Sequence, residues 1–409
     1  MDILDVSIIV PTFHFEDSVR KVILALNEQS VRVNEVIIVD SSTNDGVKEV
    51  VQGFKEHQDN INYIRRDKAY PGEARNIGAK IAKGEWLAFV DSKTVPERNW
   101  IEESLKEIEE KGLDVLFGVT QYHAKSKFQK LLRAASFGEL GHETTPGSMI
   151  KKELFLNSNF FVEGVRTADD LYWRDCIKRN SYKYSTPKKI GLTYSDLPES
   201  LKEVIQKYFI YAWHTSVVNV QTRMKDFYLG LLLILSALLV PRWNYLVGFE
   251  YNILYIPHVT KIYMLLILLV FFLNLLLNRF LSTTYPSFFR SSLRVILFLF
   301  IVLAVYNWNF IVAGWVEEAT LFIPHITKIY LLSLLLASLL IRGLIMPLKR
   351  KTPRSFLFPF RWMVVGFIGV TLDLAKTPGY AFGSLLSPFL KKELSKSVNQ
   401  LRLKVDRFS

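Results

Sequence analysis

Cysteine is nearly absent: one residue, Cys176, in a chain of 409. That excludes an internal disulfide and a cysteine metal cluster, and it suits a reducing compartment. The start, "MDILDVSIIV", lacks the basic-then-apolar order of a secretory signal. No G-x-G-x-x-G or G-x-x-x-x-G-K-[ST] loop follows the first β-like run, which argues against nicotinamide and P-loop enzymes. Acidic residues are outnumbered, 39 against 51 Lys and Arg, for a formal charge of +12. Much of the surplus is local, in "PLKRKTPR" and "LKKELSKS". Beside apolar spans, such segments mark the cytoplasmic membrane face rather than a nucleic-acid partner.

What is present is apolar and unevenly placed. Half of the residues are hydrophobic and 13% are aromatic. Residues 1 to about 194 read as an ordinary globular domain, whereas 227–346 are dominated by Leu, Ile, Val and Phe. In the first half, "VSIIVP" (6–11), "EVIIVD" (35–40), "INYIRR" (61–66) and "EWLAFVD" (85–91) read as continuous apolar strands. Such runs suit a parallel sheet buried on both faces. Helical stretches lie between them. In 16–29, Val19, Val22, Ile23 and Leu26 share one face. In 72–84, Ala74, Ile77, Ala79 and Ile81 form the expected buried side, with Gly84 as the stop. The alternation predicts an open, doubly wound α/β sheet. Ligands of such sheets sit beyond the carboxyl ends of the strands, where Thr12, Asp40 and Asp91 fall.

The motifs "SIIVPTF", "VIIVDSSTNDG", "PGEARNIGAKIAKGEWLAFVDSKTVPERNWIEE" and "SMIKKELF…NFFVEGVRTADDLYWRDCIKRN" occur in that order. Together they resemble the family 2 glycosyltransferases of the GT-A (Rossmann-like) fold, over roughly residues 5–190. The resemblance implies roles. Thr12 and Asp40 would hold the base and ribose of a nucleotide-sugar. Arg75 and Asn76 would lie near its nucleotide and phosphates. Asp45 would close the "VDDGSxD"-like motif, or simply cap a helix. Asp91 would open the D-x-D pair. Asp169 and Asp170 of "ADDLYW" would match the catalytic pair, with Asp170 as the general base. The stretch 147–155, "GSMIKKELF", would lie near the acceptor.

One departure matters. The last position of D-x-D, a carboxylate that binds Mg²⁺ or Mn²⁺ in the family, is Lys93 here. Hard cations take oxygen ligands, and an ammonium has none to offer. Asp91 alone could still hold the ion through phosphates and water, or Lys93 could meet the diphosphate directly.

The second half reads as membrane. Residues 199–221 form an amphipathic helix, suited to the lipid interface, to the catalytic domain, or to both. Then "LYIPHVTKIYMLLILL" (254–269) is echoed by "LFIPHITKIYLLSLLL" (321–336). This is a duplicated hairpin, giving runs near 227–248, 259–278, 293–314 and 327–346. His258 and His325 recur in its tips, as interfacial turns duplicated with the hairpin or as a paired site for an acceptor on the far side. Arg279, Arg290 and Arg294 in the linker place both ends, and the first domain, in the cytoplasm. Residues 360–386, interrupted by Asp373, Lys376 and Pro378, read as an interfacial helix.

The expected layout is therefore a GT-A domain (1–196), an amphipathic linker (197–226), four transmembrane helices (227–346) and a basic cytoplasmic tail (347–409). The implied protein is a multi-pass inner-membrane glycosyltransferase of surface-glycan biosynthesis. It would act with inversion on a lipid acceptor, either a polyprenyl phosphate or a lipid-linked oligosaccharide. The Q-x-x-R-W pattern of processive synthases is absent. A non-catalytic membrane protein with a nucleotide-sugar-binding domain is the alternative.

Overall fold

A computed structural model describes residues 3–221 apart from 57–58, 159 and 219, isolated positions between 224 and 332, and residues 335–405. The first three apolar runs apart from Tyr228, the start of the fourth (327–334 apart from 332), and both "IPH" loops lie outside the described residues. Among the described residues, no helix is long and apolar enough to cross a membrane.

Strand β1 (Ile3–Thr12) is the axis of the first domain, and its residues Val6 to Thr12 are all buried. It pairs in parallel with β2 (Arg32–Asp40) on one side and β4 (Trp86–Phe89) on the other. β3 (Ile61–Arg65) adds in parallel beyond β2. Helices α1 (Glu16–Asn27), α2 (Gly46–Lys55) and α3 (Pro71–Ile81) make the connections. The α1 face is the expected one: Val19, Val22, Ile23 and Leu26 are buried.

The rest of the sheet departs from the doubly wound expectation. β5 (Thr94–Pro96), α4 (Trp100–Lys111), β6 (Val115–Tyr122), α5 (Lys127–Ser136), β7 (His142–Lys151) and α6 (Lys152–Ser158) follow. Then come α7 (Asp169–Arg179), β8 (Tyr184–Ser185) and β9 (Leu192–Tyr194). The sheet order is β3-β2-β1-β4-β7-β6-β9-β5, with β8 beside β6. β7 runs antiparallel to both β4 and β6, so the sheet is mixed. This corrects the role expected for 147–155. Ser148, Met149 and Ile150 are core residues of β7, and Ser148 accepts from Gly118 N–H at 2.8 Å. Gly147 to Lys151 are held within the sheet, while 152–155 begin α6.

Apolar layers cover both sheet faces. One joins Ile8, Val10, Val19, Val47 and Ile101. The other gathers Phe89, Phe117, Phe155, Phe161 and Trp173. Trp173 of α7 stacks on Phe161 at 5.1 Å and meets Phe89 edge-on at 5.7 Å. This fixes α7, and with it the two aspartates of its first turn.

Helix α3 buries Ala74 and Ala79 and packs Ile77 against the core as expected, but departs at its end and on its polar residues. Ile81 is exposed, while Arg75 and Asn76 are buried beside Ala74 and Ala79. Burying a guanidinium is tolerated only where carboxylates meet it.

Helix α8 (Leu201–Val217) starts at Ser200, whose hydroxyl accepts from Glu203 N–H at 3.3 Å. A long helix, α9 (Arg361–Val405), runs through Pro378 without a break and packs along α8 and α5. Gly379 and Gly383 allow this approach: a Cβ at Gly379 would lie 2.5 Å from Phe209 O. The shared core includes Leu132, Val204, Leu357, Val365 and Leu372.

Candidate active site

The chain reverses direction across the sheet at β1: β2 and β3 lie on one side, β4 on the other. That switch point opens a crevice at the carboxyl ends of β1 and β4. Thr12 ends β1 and pairs in register with Asp40, which ends β2. Asp91 lies two residues beyond β4.

Asp40 is fully buried and its carboxylate is already engaged. Oδ1 accepts from Ser42 N–H at 2.9 Å and Ser42 O–H at 2.5 Å, and Oδ2 accepts from Tyr63 at 2.7 Å and Arg65 at 3.2 Å. The Ser42 hydroxyl in turn accepts from His14 N–H at 2.8 Å. Asp40 thus ties together the loops after β1 and β2. Within these loops Thr12 Oγ1 and Ser41 Oγ are buried without a hydrogen-bond partner. Phe13, next to Thr12 in the chain, is half exposed. Asp45 precedes α2 without a side-chain cap and pairs instead with Arg65 at 3.5 Å.

Arg75 crosses the base of the crevice. It donates to Asp91 at 2.5 Å and to Asp169 at 2.6 Å. Burial opposes its charge, but the Asp91 and Asp169 carboxylates outweigh burial and hold the guanidinium above its ordinary value. Asp169 answers in the opposite sense. Burial pushes its carboxyl up, Asp170 and Asp91 add to this, and Arg75 only partly offsets it; the result is about 7. Asn76 does not face the crevice. Its amide donates to Phe161 O at 2.9 Å and accepts from Phe161 N–H at 2.9 Å, clipping α3 to that loop. Gly72 permits the contact between α3 and α7: a Cβ there would lie 2.8 Å from Val162 O and 2.9 Å from Asp169 Cβ. Ala168, just before Asp169, takes a left-handed φ of 71°. Such backbone costs energy in a non-glycine residue and gathers at functional sites.

The two aspartates of α7 therefore part ways. Asp169 is sealed in, 5% exposed, while Asp170 is 34% exposed with Arg174 at 3.7 Å. Arg174 is itself held by Glu143, at 2.6 Å from its carbonyl and 3.2 Å from its carboxylate. Asp170 is the more open of the two carboxylates.

Lys93 sits at the crevice mouth. Its ammonium lies 3.6 Å from the centre of the Phe15 ring and pairs with Asp196. Facing it from α8 is Lys207, over the rings of Tyr194 and Tyr211, both at 5.6 Å. Burial lowers the Lys207 ammonium to about 8; Lys93 adds to this and Asp196 opposes it. Sequence reading missed Lys207, Tyr211 and Asp196. Lys207 counts there as one more charge on the polar side of an amphipathic helix. Only the docking of α8 turns it inward.

Residues 7–167 match the Glycosyl transferase family 2 model. This segment is thus similar to family 2 glycosyltransferase domains. Glycosyltransferase AglE of Haloferax volcanii is 29% identical over 120 residues, 29% of this chain and 40% of that one. A poly(ribitol-phosphate) beta-glucosyltransferase of Bacillus spizizenii is 32% identical over 93 residues, 22% of this chain and 15% of that one. The crystal structure of S. aureus TarS 1–349 with UDP-GlcNAc aligns at TM-score 0.40 and 20% identity, over 53% of this chain and 66% of that one. The chain spans less than half the length of the first curated relatives it matches.

A divalent ion, implied for a family 2 domain, does not fit the residues present. Among the described residues, no group of three or more His, Cys, Asp or Glu could hold one. The Asp91 oxygen nearest Arg75 is in an ion pair, the second D-x-D position carries an ammonium, and the next carboxylate, Asp196, is paired with that ammonium. A cation placed there would face two lysines.

Proposed function

We propose that the protein transfers a sugar from a nucleotide-sugar to a membrane-bound acceptor with inversion at the anomeric carbon. The observation that carries this reading is the division of labour in the acidic pair. Asp169 is withdrawn into the Arg75 pair, while Asp170 stays open to the crevice. In the proposed reaction Asp170 takes the proton of an acceptor hydroxyl. The hydroxyl oxygen attacks the anomeric carbon from the face opposite the diphosphate. The new glycosidic bond forms as the bond to the phosphate oxygen breaks, and the nucleoside diphosphate leaves with the bonding pair. The nucleotide base lies against the loops after β1 and β2, where Thr12 and Ser41 hold unpaired hydroxyls beside Phe13.

A hydroxyl acceptor needs such a base; a polyprenyl phosphate, already ionised, does not. The need for Asp170 therefore favours a glycolipid or lipid-linked oligosaccharide. Exposed apolar side chains support a membrane location: Phe360 is 72% exposed and Phe367 61%, with Met363, Val364 and Phe382 also open. They follow Arg354, flank Arg361, and come after the basic segment Lys349–Lys351. Such apolar surface edged by basic residues suits an interface with anionic lipid. The duplicated apolar hairpins complete this reading, with the family 2 domain on the cytoplasmic side of the inner membrane.

The test is release of nucleoside diphosphate from a panel of nucleotide-sugars, by the full chain in detergent with membrane lipid extract. Release that depends on the lipid extract supports the reading. Donor binding without any turnover points instead to a non-catalytic binding protein.

A further inference from the structure

Two lysines face one acid at the crevice mouth. Lys93 and Lys207 come from different parts of the chain, the turn after β4 and helix α8, and share Asp196 as counter-charge. Both ammonium groups lie on aromatic faces, Lys93 on Phe15 and Lys207 on Tyr194 and Tyr211. Rings remove water from an ammonium without neutralising it. Asp196 is thus shared by two ammonium groups in a partly dry place, with Asp91 and Asp170 acting on the rings beneath Lys207. That arrangement costs free energy by itself and is relieved by an anion, with attraction strengthened by the low local dielectric.

The position decides which anion. Lys93 follows Asp91 at the end of β4, on the β1 side of the switch point. On the donor reading above, the diphosphate must lie between the base at β1 and β2 and the acceptor at Asp170. Lys93 and Lys207 stand at that place. We infer that Lys93 and Lys207 together clamp the donor diphosphate, so that donor binding requires no divalent ion. Lysine binds phosphate as a point charge and needs no fixed fork geometry. The clamp gives α8 a function in the site beyond its packing: docking of α9 onto α8 holds Lys207 in place.

The experiment measures binding of UDP, GDP, ADP and CDP, and of the matching monophosphates, to the full chain in detergent. Each is run with excess chelator, with Mg²⁺ and with Mn²⁺. The expected result is one preferred diphosphate whose affinity with chelator stays within about threefold of that with metal. Lys207→Gln should weaken that diphosphate by about tenfold or more, the loss of one charged hydrogen bond, and change the monophosphate by about threefold or less. Lys207→Arg should keep most of the affinity, which separates charge from folding. Lys93→Asp should make diphosphate binding depend on Mn²⁺. Binding by wild type only with a divalent ion overturns the inference, and so does equal weakening of mono- and diphosphate by Lys207→Gln. Absence of binding by every nucleotide under every condition overturns the donor reading itself.

Discussion

Arg75 and Asp169 meet at 2.6 Å across 94 residues of sequence, and the same guanidinium reaches Asp91. One buried cation thus joins the end of the central sheet to the start of α7. Replacing Arg75 by Met would leave the sealed Asp169 and the partly exposed Asp91 without their partner. The expected loss is about 3–5 kcal/mol of stability. Urea unfolding of the domain measures it. A loss under about 1 kcal/mol would mean that the pair is not a structural joint.

Asp170→Asn removes the base and leaves the shape. Turnover with a hydroxyl acceptor should fall by about 10²–10⁴-fold while donor affinity holds. Asp169→Asn should act mainly on stability, because Asp169 touches Arg75 rather than the open crevice. Equal loss of turnover in both, with stability unchanged, would contradict the division of roles.

The pH dependence of stability follows from Asp169. Its folded value, about 7, lies above the ordinary 3.8, so the folded state holds a proton that the unfolded state has released. Between those values the unfolded chain binds fewer protons, and stability falls as pH rises. Wild type should therefore lose stability relative to Asp169→Asn from about pH 4 to about pH 7, then stay level with it. Denaturant unfolding of both proteins across this range is the check. A gap that widens in favour of wild type over that window has the wrong sign.

Much of this was legible in local pattern. The apolar runs ending in Thr12 and Asp40 became β1 and β2, and the run before Asp91 became β4. The α1 stripe buried the four residues its spacing selects. Order and position of the acidic motifs also pointed to the crevice. What was hidden is non-local. Periodicity marks Ile81 as inward, but partners 16 and 94 residues away pull Arg75 inward instead. The resemblance gave Asn76 a place near the nucleotide, yet Phe161 occupies its amide. Antiparallel insertion of β7 leaves no mark in a run as apolar as a parallel strand. Lys207 becomes a site residue only through the packing of α8.

Gly72→Ala tests the closeness of α3 and α7. The new methyl would lie 2.9 Å from Asp169 Cβ and 2.8 Å from a backbone oxygen of Val162. Neither neighbour is a flexible side-chain end, so the helices must separate. The expected cost is about 1–3 kcal/mol, with turnover reduced because Asp170 moves with the helix. Thermal unfolding and a donor-saturated rate report the two effects separately. Unchanged values in both would show that α7 has room to shift.

Asp373 holds the carboxyl-terminal part together. It pairs with Arg342 at 2.5 Å, accepts from Tyr228 at 2.7 Å and lies 3.9 Å from Lys376. Arg342 belongs to the fourth apolar run, so the end of that run carries a charge answered from α9. Asp373→Ala would leave both cations and the phenol facing one another in a mostly buried place. Removing one partner of such a pair costs about 3–5 kcal/mol, whereas exchanging the whole group for apolar residues costs far less. The expected outcome is that Asp373→Ala exposes the α8–α9 contact to limited proteolysis. Adding Arg342→Met and Lys376→Met should restore much of the protection. If the triple variant is cut as readily as Asp373→Ala, the fault lies in lost hydrogen bonds and not in stranded charge.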